Sequence, residues 1–205
     1  MKVALICASP KGKESTSYLL LEEIKEKMQG NETEEIFIQP GINMDEAISR
    51  MFENEYVIFF YPLYVDGLPS TLLAFLTASE MKPHKRGIEV AEVCNCGYYE
   101  GKHGYISLRI LENWAKKMHF TYHGGVSIGA APAIETVREM PMGNAMLKRA
   151  DQALSLIAAG NIKDNMSVNL GIPRLVYKKV VESNWRKEIR KNGLEARDLD
   201  NKMTE

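Results

Sequence analysis

The chain has 205 residues, of which 45% are hydrophobic and 26% charged, so it is long enough to bury a core of its own as an ordinary globular protein. Its formal net charge of −1 excludes the basic surface field that would attract nucleic acid or an anionic membrane, and we expect neither as a partner. Its 3 cysteines are too few for a secreted disulfide framework and no signal-peptide pattern is visible, so we expect a cytoplasmic protein.

Most of the chain alternates between apolar runs and helical periodicities. Five runs predict buried strands, at residues 3–8, 35–38, 56–61, 88–94 and 120–128. Apolar residues recur at helical spacing after each run, and the first such set is Leu20, Leu21, Ile24 and Met28. Repeated strand–helix alternation predicts an α/β fold in which a five-stranded parallel sheet carries helices on both faces.

The end of the chain has a different pattern. Every fourth residue from Tyr177 to Ile189 is apolar, basic side chains cover the opposite side, and Asn192-Gly193 ends the helix. We therefore expect a domain at residues 1–162 and a C-terminal amphipathic helical extension at residues 163–205. This extension would pack on the domain edge or on a partner subunit, and a membrane-surface or regulatory helix is the less favoured alternative.

The loop after the first strand, A-S-P-K-G-K-E-S-T-S at residues 8–17, predicts an anion site. Ligands of a parallel sheet bind at the carboxyl ends of the strands where the strand order reverses, which for the order 2-1-3-4-5 lies between strands 1 and 3. The loop offers hydroxyls, two lysines and the free N–H groups of the next helix, so it suits a phosphate, whereas a plain helix cap is the alternative. The absence of G-x-x-x-x-G-K-[ST] and G-x-G-x-x-G patterns excludes P-loop and Rossmann dinucleotide sites.

The loops after strands 3 and 4 predict a site for a flat ring. Residues 62–69 hold two prolines, which fix the backbone, and the apolar side chains Leu63, Tyr64 and Val65. Residues 95–104 add glycines, which allow close approach of the backbone, and two tyrosines. A phosphate site beside an apolar wall and a glycine-aromatic loop describes a mononucleotide with a large planar head, and FMN matches that description.

Several segments carry a resemblance to a known family. Ser9-Pro10-Lys11, the helix start Ser15-Thr16-Ser17 and the segment P-L-Y-V-D-G-L-P at residues 62–69 resemble the NADPH-dependent FMN reductase branch of the flavodoxin-like superfamily. The tail from Ile172 to Leu194 resembles tails of bacterial members, so the likeness covers nearly the whole chain. The resemblance implies a flavodoxin-like sheet in the order 2-1-3-4-5, bound FMN, NAD(P)H as co-substrate and a homodimer.

The same resemblance implies roles for particular residues. The phosphate would be bound by Ser9, Lys11, Ser15, Thr16 and Ser17. The isoalloxazine ring would be bordered by Pro62, Leu63, Tyr64 and Val65, with Cys96, Gly97 and Tyr98 near it. No residue is assigned a catalytic role, because the flavin itself carries the redox step.

Two further features require interpretation. Cys94, Cys96 and His103 lie close in sequence but fall short of a closed tetrahedral ligand set, so no metal site and no iron–sulfur cluster are predicted. Residues 130–141, which include Arg138, would cover the flavin, clamp a nicotinamide phosphate, or form an ordinary long loop, and the ordinary loop is preferred.

The hypothesis from sequence is therefore an FMN-dependent NAD(P)H oxidoreductase that passes electrons to a small acceptor such as a quinone, free flavin, azo or nitro compound. One alternative is a flavodoxin-type electron carrier that reacts with protein partners, although such carriers tend to be acidic and this chain is near neutral. Another is a flavin-free flavodoxin-like domain that serves as a binding or regulatory module.

Overall fold

The computed structural model describes residues 1–84, 87–195 and 197–198, which form two compact units divided between Gly171 and Ile172. The strands of the first unit are β1 Lys2–Cys7, β2 Glu32–Phe37, β3 Tyr56–Pro62, β4 Glu89–Asn95, β5 Thr121–Gly129 and β6 Met166–Asn169. Its α-helices are α1 Thr16–Lys27, α2 Met44–Glu53, α3 Ser70–Ser79, α4 Tyr105–Lys117, α5 Ile134–Arg138 and α6 Gly143–Ala158. Short 3₁₀ turns lie at Gly12–Glu14, Gly101–Gly104 and Ala131–Ala133, and α7 Arg174–Lys191 forms most of the second unit.

The strands of the first unit form one parallel sheet in the order β2-β1-β3-β4-β5-β6. The predicted order 2-1-3-4-5 is confirmed, but the prediction of five strands is wrong because β6 adds a sixth beside β5. This strand lies within residues 163–205, which the sequence pattern assigned to the helical extension. It was missed because it is a short edge strand, M-S-V-N, in which only Val168 is buried, so it has no apolar run.

Two other segments differ from the predicted elements. Strand β2 begins at Glu32, three residues before the predicted start, because it pairs with β1 from the Lys2–Glu32 position onward while its side chains stay partly exposed at the sheet edge. The predicted long loop at residues 130–141 contains a 3₁₀ turn and the short helix α5. Five residues of helix are too few to produce a clear periodic pattern in the sequence.

Helices cover both faces of the sheet, as predicted. One core cluster joins α2, α3 and α4 to alternate strand residues such as Ala4, Ile6 and Phe59. Helices α1 and α6 pack on the other face, where Leu5 and Ile58 are buried. Because both faces are covered, β1 and β3 are buried along most of their length and read as continuous apolar runs.

The second unit consists mainly of α7. The helix ends at Lys191 with Asn192 as its C-cap, and Gly193 follows with a positive φ of 74°, so the predicted stop at Asn192-Gly193 is confirmed. Basic residues are frequent along the helix, and Lys191 pairs with Glu188 within the last turn. In the described part of the chain, no helix combines the length and apolar character that crossing a membrane requires.

A carboxyl group is buried inside the first unit, on β4. Glu92 is 0% exposed, and the hydroxyl of Tyr61 donates to it. The Tyr122 hydroxyl lies 2.5 Å from Glu92 Oε1 and 2.6 Å from Asn165 Oδ1. Asn165 Nδ2 in turn donates to Glu112 Oε2 at 3.2 Å, so the Asn165 oxygen is the atom that faces Tyr122.

The polarity of these hydrogen bonds indicates that Glu92 carries a proton. Tyr122 has a single hydroxyl hydrogen, and an amide oxygen can only accept, so that hydrogen goes to Asn165. The contact between Glu92 and Tyr122 is then a hydrogen bond only if the Glu92 carboxyl donates to the tyrosine oxygen. Burial acts in the same direction, since it raises the pKa of Glu92 to about 8.

This buried acid predicts a pH dependence of stability. The folded pKa of about 8 lies above the ordinary value of 4.5, so the folded chain holds a proton that the unfolded chain releases. The free energy of unfolding should therefore fall as pH rises from about 4.5 to about 8, by at most about 1.4 kcal/mol per pH unit. Urea unfolding at several pH values would measure this slope.

The variants Glu92→Gln and Glu89→Gln separate this effect from that of other acids. Glutamine at position 92 reproduces the protonated carboxyl without titrating, so this part of the slope should disappear. Glu89 lies on the same strand but is partly exposed beside His123, and its replacement should leave the slope in place. Equal slopes in the wild type and in Glu92→Gln would contradict a buried proton on Glu92.

Candidate functional site

A pocket of about 250 Å³ lies at the carboxyl end of the sheet, at the point where the strand order reverses between β1 and β3. The loops after β1, β3, β4 and β5 all contribute to it. Its lining residues are Ser9, Lys11, Glu14, Ser15, Thr16, Ser17, Pro62, Leu63, Tyr64, Asn95, Cys96, Gly97 and Pro132. The structure therefore brings together all the predicted site residues except Val65 and Tyr98.

The path of the first loop is fixed by a glycine and a glutamine. Gly12 has a φ of +54°, and a Cβ at this position would lie 2.9 Å from Gln39 Nε2. The same Nε2 donates to the carbonyl of Pro10 at 3.0 Å. The left-handed backbone favours glycine here, and a larger residue would also displace the end of the Gln39 side chain, which anchors the loop.

Ser15 is a helix cap whose hydroxyl is fully used within the loop. Its Oγ donates to the Gly12 carbonyl at 2.6 Å and accepts the N–H of Tyr18 at 3.1 Å. These two bonds begin α1 in the ordinary way, with the serine at the N-cap position. The hydroxyl hydrogen of Ser15 is thus unavailable to a ligand as long as the loop keeps this conformation.

The next two residues leave their donors open. Among the described residues, no hydrogen bond takes up the backbone N–H of Thr16 or Ser17, as expected for the first turn of a helix. Their hydroxyl hydrogens also have no acceptor there, and the Ser9 hydroxyl oxygen accepts only a long 3.4 Å contact from the Lys11 N–H. The start of α1 therefore directs several unsatisfied donors and the positive end of the helix dipole into the pocket.

Charged side chains of both signs border this end of the pocket. Lys11 and Glu14 both line it, so a bound anion would meet one favourable and one unfavourable charge. The ammonium group of Lys13 lies instead 5.6 Å from the ring centre of Tyr18 and 5.8 Å from that of Phe37. Lys13 is consequently no part of the pocket lining, although it belongs to the same loop.

The apolar wall after β3 includes a strained two-residue hairpin. The backbones of Tyr64 and Gly67 exchange two hydrogen bonds, of 3.0 and 2.9 Å. The two residues between them, Val65 and Asp66, have φ values of 48° and 58°. Both positive values define a type I′ turn, which normally carries Asn or Gly and is unfavourable for a β-branched side chain. Val65 is 97% exposed at the tip, which explains why it does not line the pocket.

The third loop places its backbone at the pocket and its tyrosine outside. Cys96 donates its N–H to the Ile128 carbonyl at 3.0 Å, and burial raises the pKa of its thiol to about 11. The thiol is therefore protonated at neutral pH and is not a nucleophile. The Tyr98 ring stacks on His103 with 4.2 Å between centroids, and His103 lies 3.6 Å from the carboxylate of Asp66 on the hairpin.

Three lining residues were absent from the prediction: Glu14, Asn95 and Pro132. Asn95 is a polar residue at the last position of a buried strand, which is a pattern that could have identified it. Pro132 comes from the segment predicted as an ordinary loop. In that segment Arg138 does not line the pocket, since its guanidinium pairs with Glu23 on α1.

A larger surface depression, of about 610 Å³, lies elsewhere on the first unit. All its lining residues belong to α6: Asn144, Lys148, Asp151, Gln152, Ser155 and Leu156. One exposed face of a single helix does not bring polar groups from several elements together around a ligand. The smaller pocket at the sheet edge is therefore the candidate site.

Solved structures share this fold, whereas no family model and no curated protein matches the sequence. An NADPH-quinone reductase from P. pentosaceus is 17% identical, with a TM-score of 0.58 over 77% of this chain and 98% of that one. An FMN-dependent NADH-azoreductase from Bacillus anthracis, in complex with FMN, is 14% identical, with a TM-score of 0.56 over 78% and 99%. A flavodoxin from Streptococcus pneumoniae TIGR4 is 11% identical, with a TM-score of 0.55 over 78% and 97%.

These neighbours confirm the flavodoxin-like fold that the resemblance implied. The quinone reductase, the azoreductase and the flavodoxin share this fold, which in the present chain has a six-stranded sheet. At such low identities the likeness concerns the fold, and the chemistry of the site has to be argued from the residues of this chain.

The strained hairpin predicts a stabilising substitution. Asn tolerates a positive φ, so Val65→Asn should raise the free energy of unfolding by about 1 kcal/mol, since the exposed valine side chain has no packing to lose. Val65→Ala is the control, because it removes the γ-methyl groups without adding a side chain that favours this conformation. Urea unfolding of the three proteins would test this, and an Asn variant no more stable than the Ala variant would contradict the strain.

Proposed function

We propose that the chain binds FMN in the pocket between β1 and β3 and acts as an NAD(P)H oxidoreductase that reduces a small acceptor, such as a quinone, free flavin, azo or nitro compound. The observation that carries this proposal is the junction of two different surfaces in one pocket. Unsatisfied donors at the start of α1 lie on one side, and the apolar residues Pro62, Leu63 and Tyr64 lie on the other. A phosphate joined to a planar ring matches both surfaces at once.

The phosphate end of the pocket suits the charged part of FMN. The N–H groups of Thr16 and Ser17, their hydroxyls and the Ser9 hydroxyl can all donate to an anion, and Lys11 adds a positive charge. A hydrogen bond to a charged group contributes roughly 1.5–3 kcal/mol, so a few of these donors suffice for tight binding. Lysine supplies charge at this position without the two-pronged geometry of arginine.

The ring end of the pocket suits a partly exposed cofactor. At about 250 Å³, the pocket is smaller than the roughly 300–1,000 Å³ of sites that enclose a ligand. Tyr64 is itself 46% exposed at the rim. A bound mononucleotide would therefore stay open on one side, and this leaves access for a nicotinamide and for the acceptor.

When bound, FMN supplies the redox chemistry by taking a hydride from NAD(P)H and passing electrons on. The side chains of this chain bind the phosphate, hold the ring against the apolar wall and exclude water from that face. Burial raises the pKa of the Cys96 thiol, so no nucleophilic role is proposed for it. The names of the quinone reductase and the azoreductase with the same fold support this activity. A cytoplasmic location and a homodimer accompany the proposal as predictions from the sequence.

The charges at the pocket predict opposite effects on FMN binding. Lys11→Gln should weaken FMN binding about three- to tenfold at low salt, and Glu14→Gln should strengthen it by a similar factor, because one charge attracts the phosphate and the other repels it. Neither change should affect riboflavin, which lacks the phosphate. Quenching of flavin fluorescence on titration measures both affinities.

Lys13→Gln is the matched control for this pair, since its ammonium lies over the Tyr18 and Phe37 rings outside the pocket. It should change FMN affinity by less than either pocket variant. The assignment of the phosphate to this loop would be wrong if all three variants had the same effect, or if riboflavin responded as strongly as FMN.

Rapid mixing with NADPH or NADH tests the reaction. We expect the absorbance of the FMN-loaded protein to bleach on mixing, and steady NAD(P)H oxidation to begin when a quinone, nitro or azo compound is added. An FMN-loaded protein that neither nucleotide reduces would favour the electron carrier. A chain that takes up no FMN would favour the flavin-free module and would overturn the proposal.

A further inference from the structure

Asn95 lies between the two halves of the candidate site. It is the last residue of β4, is only 4% exposed and lines the pocket. Its Nδ2 lies 2.6 Å from the Ser17 hydroxyl oxygen, at the start of α1, and 3.0 Å from the carbonyl oxygen of Tyr61, on β3. The backbone carbonyl of Asn95 accepts a hydrogen bond from the backbone N–H of Leu63 at 2.8 Å.

Chemistry fixes which way the Asn95 amide is turned. A backbone carbonyl can only accept, so the side-chain atom beside the Tyr61 oxygen has to be the nitrogen. An amide nitrogen has two hydrogens and no acceptor capacity, so it also donates to the other atom in reach, the Ser17 oxygen. Ser17 is consequently the acceptor in this pair.

The Ser17 hydroxyl hydrogen is therefore left for another acceptor. The side chain is 1% exposed, and no other polar partner is within hydrogen-bond distance in the described part of the chain. A buried hydroxyl without an acceptor for its hydrogen is unfavourable, and the pocket is the side on which an acceptor can bind. Ser15 is in the opposite situation, because its hydrogen already goes to the Gly12 carbonyl.

We propose that Asn95 is a positioning residue for the phosphate subsite: its amide holds the Ser17 oxygen so that the hydroxyl hydrogen points to a bound phosphate. The proposal rests on the proposed function and deepens it, because it says which of the hydroxyls at the start of α1 is oriented for the anion and what orients it. It also gives a role to the polar residue that ends this buried strand.

Two substitutions at Asn95 test this polarity. Asn95→Ala removes the donor, so the Ser17 hydroxyl loses its fixed orientation and FMN affinity should fall about fivefold to tenfold. Asn95→Asp reverses the polarity, because a carboxylate accepts the Ser17 hydrogen and repels the phosphate, so FMN affinity should fall further. Riboflavin affinity should change much less in both variants, so the ratio of riboflavin to FMN dissociation constants is the measured quantity.

A double-mutant cycle tests whether Asn95 acts through Ser17. Ser17→Ala alone should lower FMN affinity about tenfold, and adding Asn95→Ala to it should lower the affinity little more. Asn54→Ala is the matched control. Asn54 is also a buried asparagine, but its Nδ2 donates to the Arg50 carbonyl and to Glu34, which do not line the pocket, so its loss should leave the ratio unchanged. Circular dichroism and thermal unfolding identify any variant that fails to fold. If Asn95→Ala does not fold, Asn95→Asp, which keeps the size of the side chain, is used alone, and an unchanged ratio in that variant would overturn the proposal.

The outcomes separate this inference from the proposed function. If the wild type takes up no FMN, the proposed function is wrong and the inference falls with it. The proposed function stands and the role of Asn95 is overturned if the wild type prefers FMN to riboflavin but Asn95→Ala keeps that preference. The same conclusion follows if the loss of FMN affinity in the double variant equals the product of the losses in Asn95→Ala and Ser17→Ala.

Discussion

The candidate site depends on the parallel pairing of β1, β3 and β4, which makes three buried strands end at nearly the same level. Cys7 pairs with Phe60, and Pro62 pairs with Asn95. The chain leaves β1 toward β2 on one side, whereas β3 lies on the other, so the loops after β1 and β3 separate and leave a crevice between them. Each loop is fixed by a rigid strand, and this is what allows residues far apart in sequence to meet around one ligand.

Hydrogen-bond polarity is the second constraint, and it acts in the same way in the core and in the site. In the core, the Asn165 oxygen takes the only hydrogen of Tyr122, so Glu92 has to carry a proton. In the pocket, the Asn95 amide nitrogen donates a hydrogen bond to the Ser17 oxygen, so the Ser17 hydroxyl hydrogen stays available to another acceptor. In both places the amide of an asparagine, buried at Asn95 and half-buried at Asn165, has its orientation set by an unambiguous partner and determines the state of a group that could otherwise donate or accept.

The sequence predicted the parts of the fold that are buried on both sides. The apolar runs of β1 and β3 were identified because a covered parallel strand has no polar face, whereas the order of the first five strands was implied by the family resemblance. The edge strands were harder to predict from the sequence. Strand β6 is short and mostly exposed, and the first half of β2 is polar, so neither has the pattern on which such a prediction depends.

The site was predictable as a set of loops but less so residue by residue. The composition of residues 8–17 indicates an anion site, yet it does not distinguish Ser15, which caps α1, from Ser17, which keeps its hydrogen free. That difference is created by Asn95, a residue 78 positions away in sequence. Val65 was predicted at the ring because it is apolar, but two consecutive positive φ values turn it out of the pocket.

The two ends of the pocket differ in rigidity, and this difference has a functional consequence for an FMN enzyme. The phosphate end is built from the first turn of α1 and the last residue of β4, and it is held by short hydrogen bonds between elements. The ring end is formed partly by an exposed hairpin in a strained turn, whose residue Asp66 lies beside His103 on the neighbouring loop. Affinity for the cofactor would then come mainly from the rigid end, where donors are already oriented. The hairpin end, with fewer buried contacts, is where the choice among acceptors would be made.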